Sequence, residues 1–398
     1  MLWLDITDPK YALFFSAFLP RLLELDSILI TTRESPNYTE CAQILSHLES
    51  TFASSRLQVC SVGSYGGANK LGKYRARLGR EQEILQLFSK HKELPRVFMS
   101  GASVEGAHCA FGLGIPIVHF ADTPIAGHTY NPKDITALAR LSLPLSSVLF
   151  HPFVIPPSVF SGFGLEASSV YSYDFIDVAL WLEPSLPSGI SLESSFAPYP
   201  LESSFDDSLR DAPLIIAREE EYKAHYVKAQ YRLWYESVHT LAKERVRILI
   251  IPRYGAAQLE AEFSDYANIH IAQEIIAPHD LYAQASLLLG GGGTMNLEAC
   301  FLGIPTISTR SLLLYHDCYL LAHKLMHHAK SVEEVMNAFY AYRDSGFARK
   351  ESKALFIKPQ STAHTLKDSL LKSPESTLKD ALESSLHSIV QTIATRFY

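Results

Sequence analysis

Apolar residues fall in short unbroken runs along this chain, and between the runs they recur every three to four positions. Residues 2–6, 27–32, 57–62, 97–100 and 116–120 predict strands, and residues 11–25, 39–53 and 103–111 carry helical spacing. Strands that do not alternate apolar with polar residues predict a buried parallel sheet flanked by helices. The alternation stops in a Ser- and Pro-rich stretch and then resumes. Residues 213–217, 245–251, 269–271, 287–289 and 306–308 predict strands, 221–242, 279–286 and 294–302 helices, and 376–397 a closing amphipathic helix. The expected organisation is an α/β domain over 1–183, a linker over 184–211, a second α/β domain over 212–345 and a helical tail over 346–398.

One segment occurs twice. Residues 101–116 (GASVEGAHCAFGLGIP) and 291–305 (GGGTMNLEACFLGIP) each follow an apolar run and precede another, and their Gly-Ile-Pro ends lie 189 residues apart. Two similar halves account for this economically. A common helix-to-strand turn with a glycine C-cap accounts for it too.

The chain has 398 residues, of which 47% are hydrophobic and 19% charged. That is ample for two cores and excludes a disordered or fibrous protein. A net charge of −7 argues against a nucleic-acid partner. Five scattered cysteines form no C-x-x-C pair, so neither a zinc knuckle nor a disulfide framework is expected. The sixteen histidines show no metal-ligand spacing, and no G-x-S-x-G elbow occurs. The start of the chain lacks the pattern of a secretory signal. No apolar stretch reaches the ~20 residues that span a bilayer, since residues 148–163 are interrupted by Pro152, Pro156 and Pro157. A cytoplasmic location is expected, with peripheral membrane contact left open.

The sharpest chemical signal is the apolar run ending in Gly290, Gly291, Gly292 and Gly293, with a helix opening at Thr294. Glycine permits positive φ and close backbone approach, and a helix start offers unpaired N–H groups and a positive dipole end. Gly291, Gly292, Gly293, Thr294, Met295 and Asn296 therefore form a candidate diphosphate cradle. Glu298, one turn on, suits ribose hydroxyls. The competing reading is a tight turn with Thr294 as a plain N-cap. No Lys-Ser/Thr follows the glycines, so this is not a Walker loop.

Arg218 and Arg253 each follow a predicted strand, at the edge where α/β sheets bind ligands. Each suits bidentate pairing with a diphosphate or stands as a surface arginine, and Glu219, Glu220 and Glu221 offer Arg218 a helix-start charge cluster instead. The backbone around Ile276 is placed to meet a base edge, and Asp280 reads as an N-cap. In the first half Asp122, just past a strand, is the best-placed general base, with Lys10 and Asp8 as weaker candidates and His128 as a ligand contact. His119 reads as a satisfied core histidine. Residues 66–80 hold five cations among apolar residues and suit lipid headgroups, an acceptor phosphate or a solvated helix face.

These residues resemble the GT-B superfamily of nucleotide-sugar enzymes. Leu113-Gly-Ile-Pro116 followed by Ile125-Ala-Gly-His-Thr129 resembles the peptidoglycan N-acetylglucosaminyltransferase. The stretch 291–299 with Glu298 is similar to that transferase and to the non-hydrolysing UDP-N-acetylglucosamine 2-epimerases. Together with Pro9-Lys-Tyr-Ala-Leu-Phe-Phe15 and Leu143-Pro-Leu145, the chain looks most like the bacterial and archaeal family called domain of unknown function 354. The resemblance implies an α/β fold of two Rossmann-like domains facing a cleft. It implies an N-terminal domain for the acceptor and a C-terminal domain for a UDP-linked sugar, held as substrate with no further cofactor. Gly291 to Thr294 would hold the diphosphate, Glu298 the ribose, and residues 275–277 the uracil. Where the epimerases carry acids this chain has Ala102 and Ala121, and Thr7-Asp-Pro-Lys10 replaces the transferase's glycine-rich first loop. The expected activity is glycosyl transfer to a glycan or lipid-linked acceptor in cell-surface assembly. The alternatives are sugar-nucleotide epimerisation and non-catalytic nucleotide-sugar binding.

Overall fold

The computed structural model describes residues 1–35, 39–67, 69–101, 103–183, 204–220, 232–253, 255–274, 276–359 and 374–398. Most of the expected linker, together with Ala102, Glu221 and Ile275, lies outside the described residues. The chain divides into two compact units, Met1–Ser191 with Ile357–Tyr398, and Leu192–Phe356.

In the first unit seven parallel strands are formed by β1 (Leu2–Asp5), β2 (Ile28–Thr32), β3 (Leu57–Ser61), β4 (Val97–Ser100), β5 (Ile117–Phe120), β6 (Val148–Pro152) and β7 (Val170–Tyr173). Their order is β3-β2-β1-β4-β5-β6-β7. The second unit holds β8 (Leu214–Arg218), β9 (Arg247–Ile251), β10 (Ile269–Ile271), β11 (Ala285–Gly290), β12 (Thr306–Ser308) and β13 (His327–His328), in the order β10-β9-β8-β11-β12-β13. Both sheets start at a central strand, run outward one way, then return to its other side. That reversal opens a crevice at the carboxyl ends of β1 and β4, and of β8 and β11, where ligands of such sheets bind.

The strands form because both faces are covered. β1, β2, β4, β5 and β6 are buried at every position. Trp3, Phe14, Phe15, Phe18 and Phe120 are fully buried in the first unit. Ile215, Trp234, Ile248, Leu289 and Phe339 share one core of the second.

The two copies of the repeat fold alike. Helix Val104–Gly112 follows β4 and helix Thr294–Phe301 follows β11. Gly114 (φ 70°) and Gly303 (φ 73°) end them in the left-handed region. The N–H of Ile115 then returns to the carbonyl of Ala110, and that of Ile304 to Ala299, both at 2.9 Å. The shared turn is a Schellman motif, which glycine makes without a Cβ penalty.

The structure revises the sequence reading in places. The helix expected over 11–25 is two helices, Pro9–Ser16 and Leu19–Leu25, because Pro20 stands in the first turn of the second and pre-sets a new start. The apolar residues 148–163, expected to be interrupted by their prolines, form β6 and a 3₁₀ segment Pro157–Phe163. The segment set apart as a tail divides, with residues 346–356 in the second unit and 357–398 in the first. Its helix Pro374–Phe397 belongs there because Leu378, Leu382, Leu386, Ile389 and Ile393, at helical spacing, are all buried. Glu383 also pairs with Arg21 on the helix Leu19–Leu25. Among the described residues no helix is long and apolar enough to cross a membrane.

Candidate functional site

In the second unit the glycine turn lies at the reversal point. Gly290 on β11 registers with Arg218 on β8, and the Gly291 N–H donates to the Arg218 carbonyl at 2.8 Å. The four glycines serve different purposes. A Cβ on Gly290 would lie 1.8 Å from Asn296 Oδ1, one on Gly291 2.3 Å from the Glu220 backbone nitrogen, and one on Gly292 2.2 Å from Arg310 Cδ. The room expected for phosphate at Gly291 and Gly292 is therefore taken by the chain itself. Gly293 differs. Its φ is 83°, and a Cβ there would meet only Arg253 Nη2, at 3.6 Å. Gly293 is the N-cap of helix Thr294–Phe301 and no side chain caps that helix, so Thr294 is not the N-cap. The open part of the cradle is Gly293, Thr294 and Met295, all half-buried, beside first-turn N–H groups that no side chain among the described residues caps.

The equivalent end of the first unit is closed. Ser103 Oγ caps helix Val104–Gly112 through the Gly106 N–H. The Tyr11 ring packs so closely on Gly101 that a Cβ there would lie 1.9 Å away. One copy of the repeat is plugged and capped; the other is open and uncapped.

Three arginines surround the open turn. Arg218 donates through Nη1 to the carbonyls of Pro252 (2.7 Å) and Ile251 (3.3 Å). Arg253 lies beside Gly293. Arg310, past β12, covers Gly292 and pairs with Asp317 at 2.6 Å. Of the expected acidic cluster, Glu219 is buried and accepts from Tyr235 at 2.6 Å, and Glu220 accepts from the Ser311 backbone at 2.7 Å. Neither carboxylate pairs with Arg218 in these bonds.

Glu298 is 6% exposed, and its Oε2 accepts from the Tyr282 phenol at 2.8 Å. Burial, reinforced by that carboxylate, pushes the Tyr282 hydroxyl well above its ordinary pKa, so it stays a donor. Tyr282 sits on helix Pro278–Ala283, whose N-cap is Ala277; Asp280 does not cap it. Half-buried Ile276 packs on the core beneath. Asn296 is fully buried, and its Oδ1 has no hydrogen-bond partner.

In the first unit the structure brings Lys10 and Asp122 together. Lys10 Nζ pairs with Asp122 and, at 2.6 Å, with Asp177. Burial alone would lower the pKa of this ammonium, yet the two carboxylates outweigh it and hold it well above its ordinary value. Tyr173 donates to Asp177 at 2.7 Å, and Tyr11 to Asp122 at 3.3 Å. Two carboxylates share the Lys10 ammonium, and Asp122 is the more accessible of them, with a side chain 25% exposed against 2% for Asp177. Asp8 caps helix Pro9–Ser16 by accepting from the Lys10 N–H. His128 is exposed in the loop after β5. His119 is buried; its Nδ1 lies 2.7 Å from Ser146 Oγ, but its Nε2 has no partner. Burial drives its pKa down to about 3. No group of three or more His, Cys, Asp or Glu positioned for a metal occurs among the described residues.

Sequence reasoning missed Arg310, Tyr282 and Asp177. Arg310 follows a predicted strand just as Arg218 and Arg253 do, so the same edge rule finds it. Asp177 interrupts the apolar run Phe175-Ile-Asp-Val178, and a lone acid there is its signal.

Comparisons with known proteins bear on the fold. An uncharacterised protein of Methanocaldococcus jannaschii is 25% identical over 345 residues, covering 84% of this chain and 89% of the relative. The UDP-GlcNAc 2-epimerase of Neisseria meningitidis, bound to UDP-GlcNAc, matches with a TM-score of 0.64 at 14% identity, covering 98% of this chain and all of that one. The M. jannaschii UDP-GlcNAc 2-epimerase with UDP-GlcNAc and UDP matches at 0.61 and 15%, covering 88% and 94%. The glycotransferase of kitacinnamycin matches at 0.52 and 10%, covering 100% and 99%. These likenesses show the GT-B, two-Rossmann fold. The family described as Protein of unknown function (DUF354) matches residues 1–358, and this chain belongs to it.

Proposed function

We propose that the chain is a glycosyltransferase that takes a UDP-linked sugar in its second unit and transfers the sugar to a glycan or lipid-linked acceptor during cell-surface assembly, at the cytoplasmic side of a membrane. The observation that carries this reading is the open, uncapped helix start at Gly293 and Thr294, ringed by Arg218, Arg253 and Arg310. The fold shared with structures that hold UDP-GlcNAc supports it. The diphosphate lies against the N–H groups of Gly293, Thr294 and Met295. As the bond from the sugar's anomeric carbon to the diphosphate breaks, charge builds on the leaving oxygen, and the helix start and Arg253 stabilise it by fixed electrostatics. Gly291, Gly292 and Asn296 hold the turn in shape. Glu298, an acceptor only, takes the ribose hydroxyls, and Ile276 borders the uracil. Asp122 removes the proton from the acceptor hydroxyl that attacks the anomeric carbon; Lys10 fixes its orientation, and His128 lies in the loop that follows it.

Two variants test these roles. Asp122→Asn is expected to lower turnover by about 10²–10⁴-fold with UDP affinity unchanged, and to fold, since Lys10 keeps Asp177 as its partner. Full activity in this variant removes Asp122 as the base. Glu298→Gln is expected to weaken UDP binding by about tenfold or more, the scale of a hydrogen bond to a charge. It should not weaken binding of 2′,3′-dideoxy-UDP, and equal weakening of both ligands contradicts the ribose assignment.

A second reading has its own support. Lys10, Asp122, Asp177, Tyr11 and Tyr173 form an acid/base set that epimerisation of the sugar nucleotide would need. UDP release that depends on an acceptor supports transfer. Deuterium entering the sugar from solvent without any acceptor supports epimerisation.

A further inference from the structure

The large apolar side chains left exposed are unevenly spread. Every one found among the described residues belongs to the first unit. On helix Lys70–Phe88 they are Leu71, Tyr74, Leu78 and Leu85. At about 100° per residue these four fall within an arc of roughly 60°, whose centre lies about 150° from the buried Arg80. The neighbouring helix Val104–Gly112 adds Phe111, which is 63% exposed, and Ala137–Ser142 adds Leu138 and Leu141.

These helices form one surface. His108 lies 3.4 Å from Glu81 on the first helix and 2.9 Å from the Leu141 carbonyl on the third. Leu78 and Phe111 each sit one turn from that bridge. Cations border the patch. Lys70, Arg75 and Arg140 are exposed, Lys73 and Arg77 half-buried, and the Arg77 guanidinium lies 5.3 Å from the Tyr74 ring. The acids on these helices are fewer: Glu81, already shared by Arg77 and His108, exposed Glu83, which accepts from the Gly63 N–H, and half-buried Glu105. This positive rim stands out in a chain of net charge −7.

We infer that the outer face of helices Lys70–Phe88, Val104–Gly112 and Ala137–Ser142 is a docking surface for an anionic lipid bilayer. Apolar side chains enter the boundary between headgroups and acyl chains while flanking cations meet lipid phosphates. A second copy of the chain fits the face less well, because a self-complementary contact would set one cationic rim against another. The inference deepens the peripheral membrane contact of the proposed function. It replaces a single basic run with a three-helix surface, and it removes Arg80, which is 1% exposed, from the lipid-facing cations.

The test is co-sedimentation of the full chain with vesicles, without donor or acceptor. Failure therefore leaves the glycine-turn reading untouched, and failure of nucleotide binding leaves this surface untouched. The chain is expected to pellet with phosphatidylglycerol–phosphatidylcholine vesicles, less so in high salt and far less with phosphatidylcholine alone. Leu78→Ser with Phe111→Ser, and separately Lys70→Gln with Arg75→Gln, are each expected to weaken binding by about tenfold or more, with unchanged melting because the replaced side chains are exposed. Absence of binding, equal binding to neutral vesicles, or indifference to both double variants overturns the inference. So does a dimer in light scattering that Leu78→Ser and Phe111→Ser dissolve.

Discussion

Gly293→Val is expected to weaken UDP binding by at least about a hundredfold while the fold survives. The reason lies in what surrounds each glycine. Replacing Gly290, Gly291 or Gly292 would push a side chain into Asn296, Glu220 or Arg310, so loss of binding there mixes distortion with blockage. At Gly293 only Arg253 Nη2 lies near the new Cβ. The backbone at Gly293, φ 83° and ψ −158°, lies in a region essentially confined to glycine, so the substitution costs of order 1–3 kcal/mol, which a unit of this size tolerates. A branched side chain at that point stands where an anion must approach the uncapped N–H groups, and it displaces the guanidinium that meets it. The first copy of the repeat is the internal control. Its helix start is capped by Ser103 and its Gly101 is covered by Tyr11, so Gly101→Ala or Ser103→Ala should alter stability but not UDP affinity. Calorimetry decides: unchanged affinity in folded Gly293→Val removes the diphosphate from this turn.

Arg80→Met is expected to cost the first unit about 3–5 kcal/mol, the penalty for leaving one member of a buried pair unpartnered. Arg80 and Asp5 are each 1% exposed. The guanidinium reaches both carboxylate oxygens, at 2.8 and 2.5 Å, and its Nε donates to the Val62 carbonyl at 2.9 Å. Thr31 donates a further bond to Asp5 at 2.6 Å. Burial by itself would raise the Asp5 carboxyl, but the Arg80 charge and these hydrogen bonds outweigh it and hold the group below its usual range. The pH dependence follows from that direction. A depressed carboxyl contributes its full stability above the unfolded value, near about 4, and loses it as pH falls through the lower folded value. In Arg80→Met the unpaired carboxyl is raised instead, so acid relieves the variant. The urea midpoints of the two proteins should therefore differ most at neutral pH and converge in acid. A constant gap would show that the Asp5 charge is not the cause.

Much of the sheet was legible in the sequence because burial on both faces writes strands as unbroken apolar runs, as in residues 2–5, 28–32 and 287–289. β6, β7 and β13 were not: β6 lies inside the longer apolar stretch 148–163, which shows no strand boundary, while β7 and β13 are short and partly exposed. The glycine turn was legible as a turn, yet its sequence does not say which glycine faces outward. Three of the four make room for neighbours remote in sequence or already in the helix. Residues 66–80 read as five surface cations, whereas Arg80 finds a carboxylate 75 positions earlier. Spacing along a helix shows a residue's face but not the charge waiting there. Lys10 and Asp122 were both candidates by position, and only the sheet order puts them in contact. Asp177, which completes that group, followed no motif at all.

The central claim is that the uncapped helix start after β11 holds a pyrophosphate, and a crystal structure grown with UDP tests it most directly. The account predicts both phosphates within hydrogen-bond distance of the N–H groups of Gly293, Thr294 and Met295, with a ribose hydroxyl on Glu298. UDP bound elsewhere, with that helix start facing only water or a side chain, would contradict it.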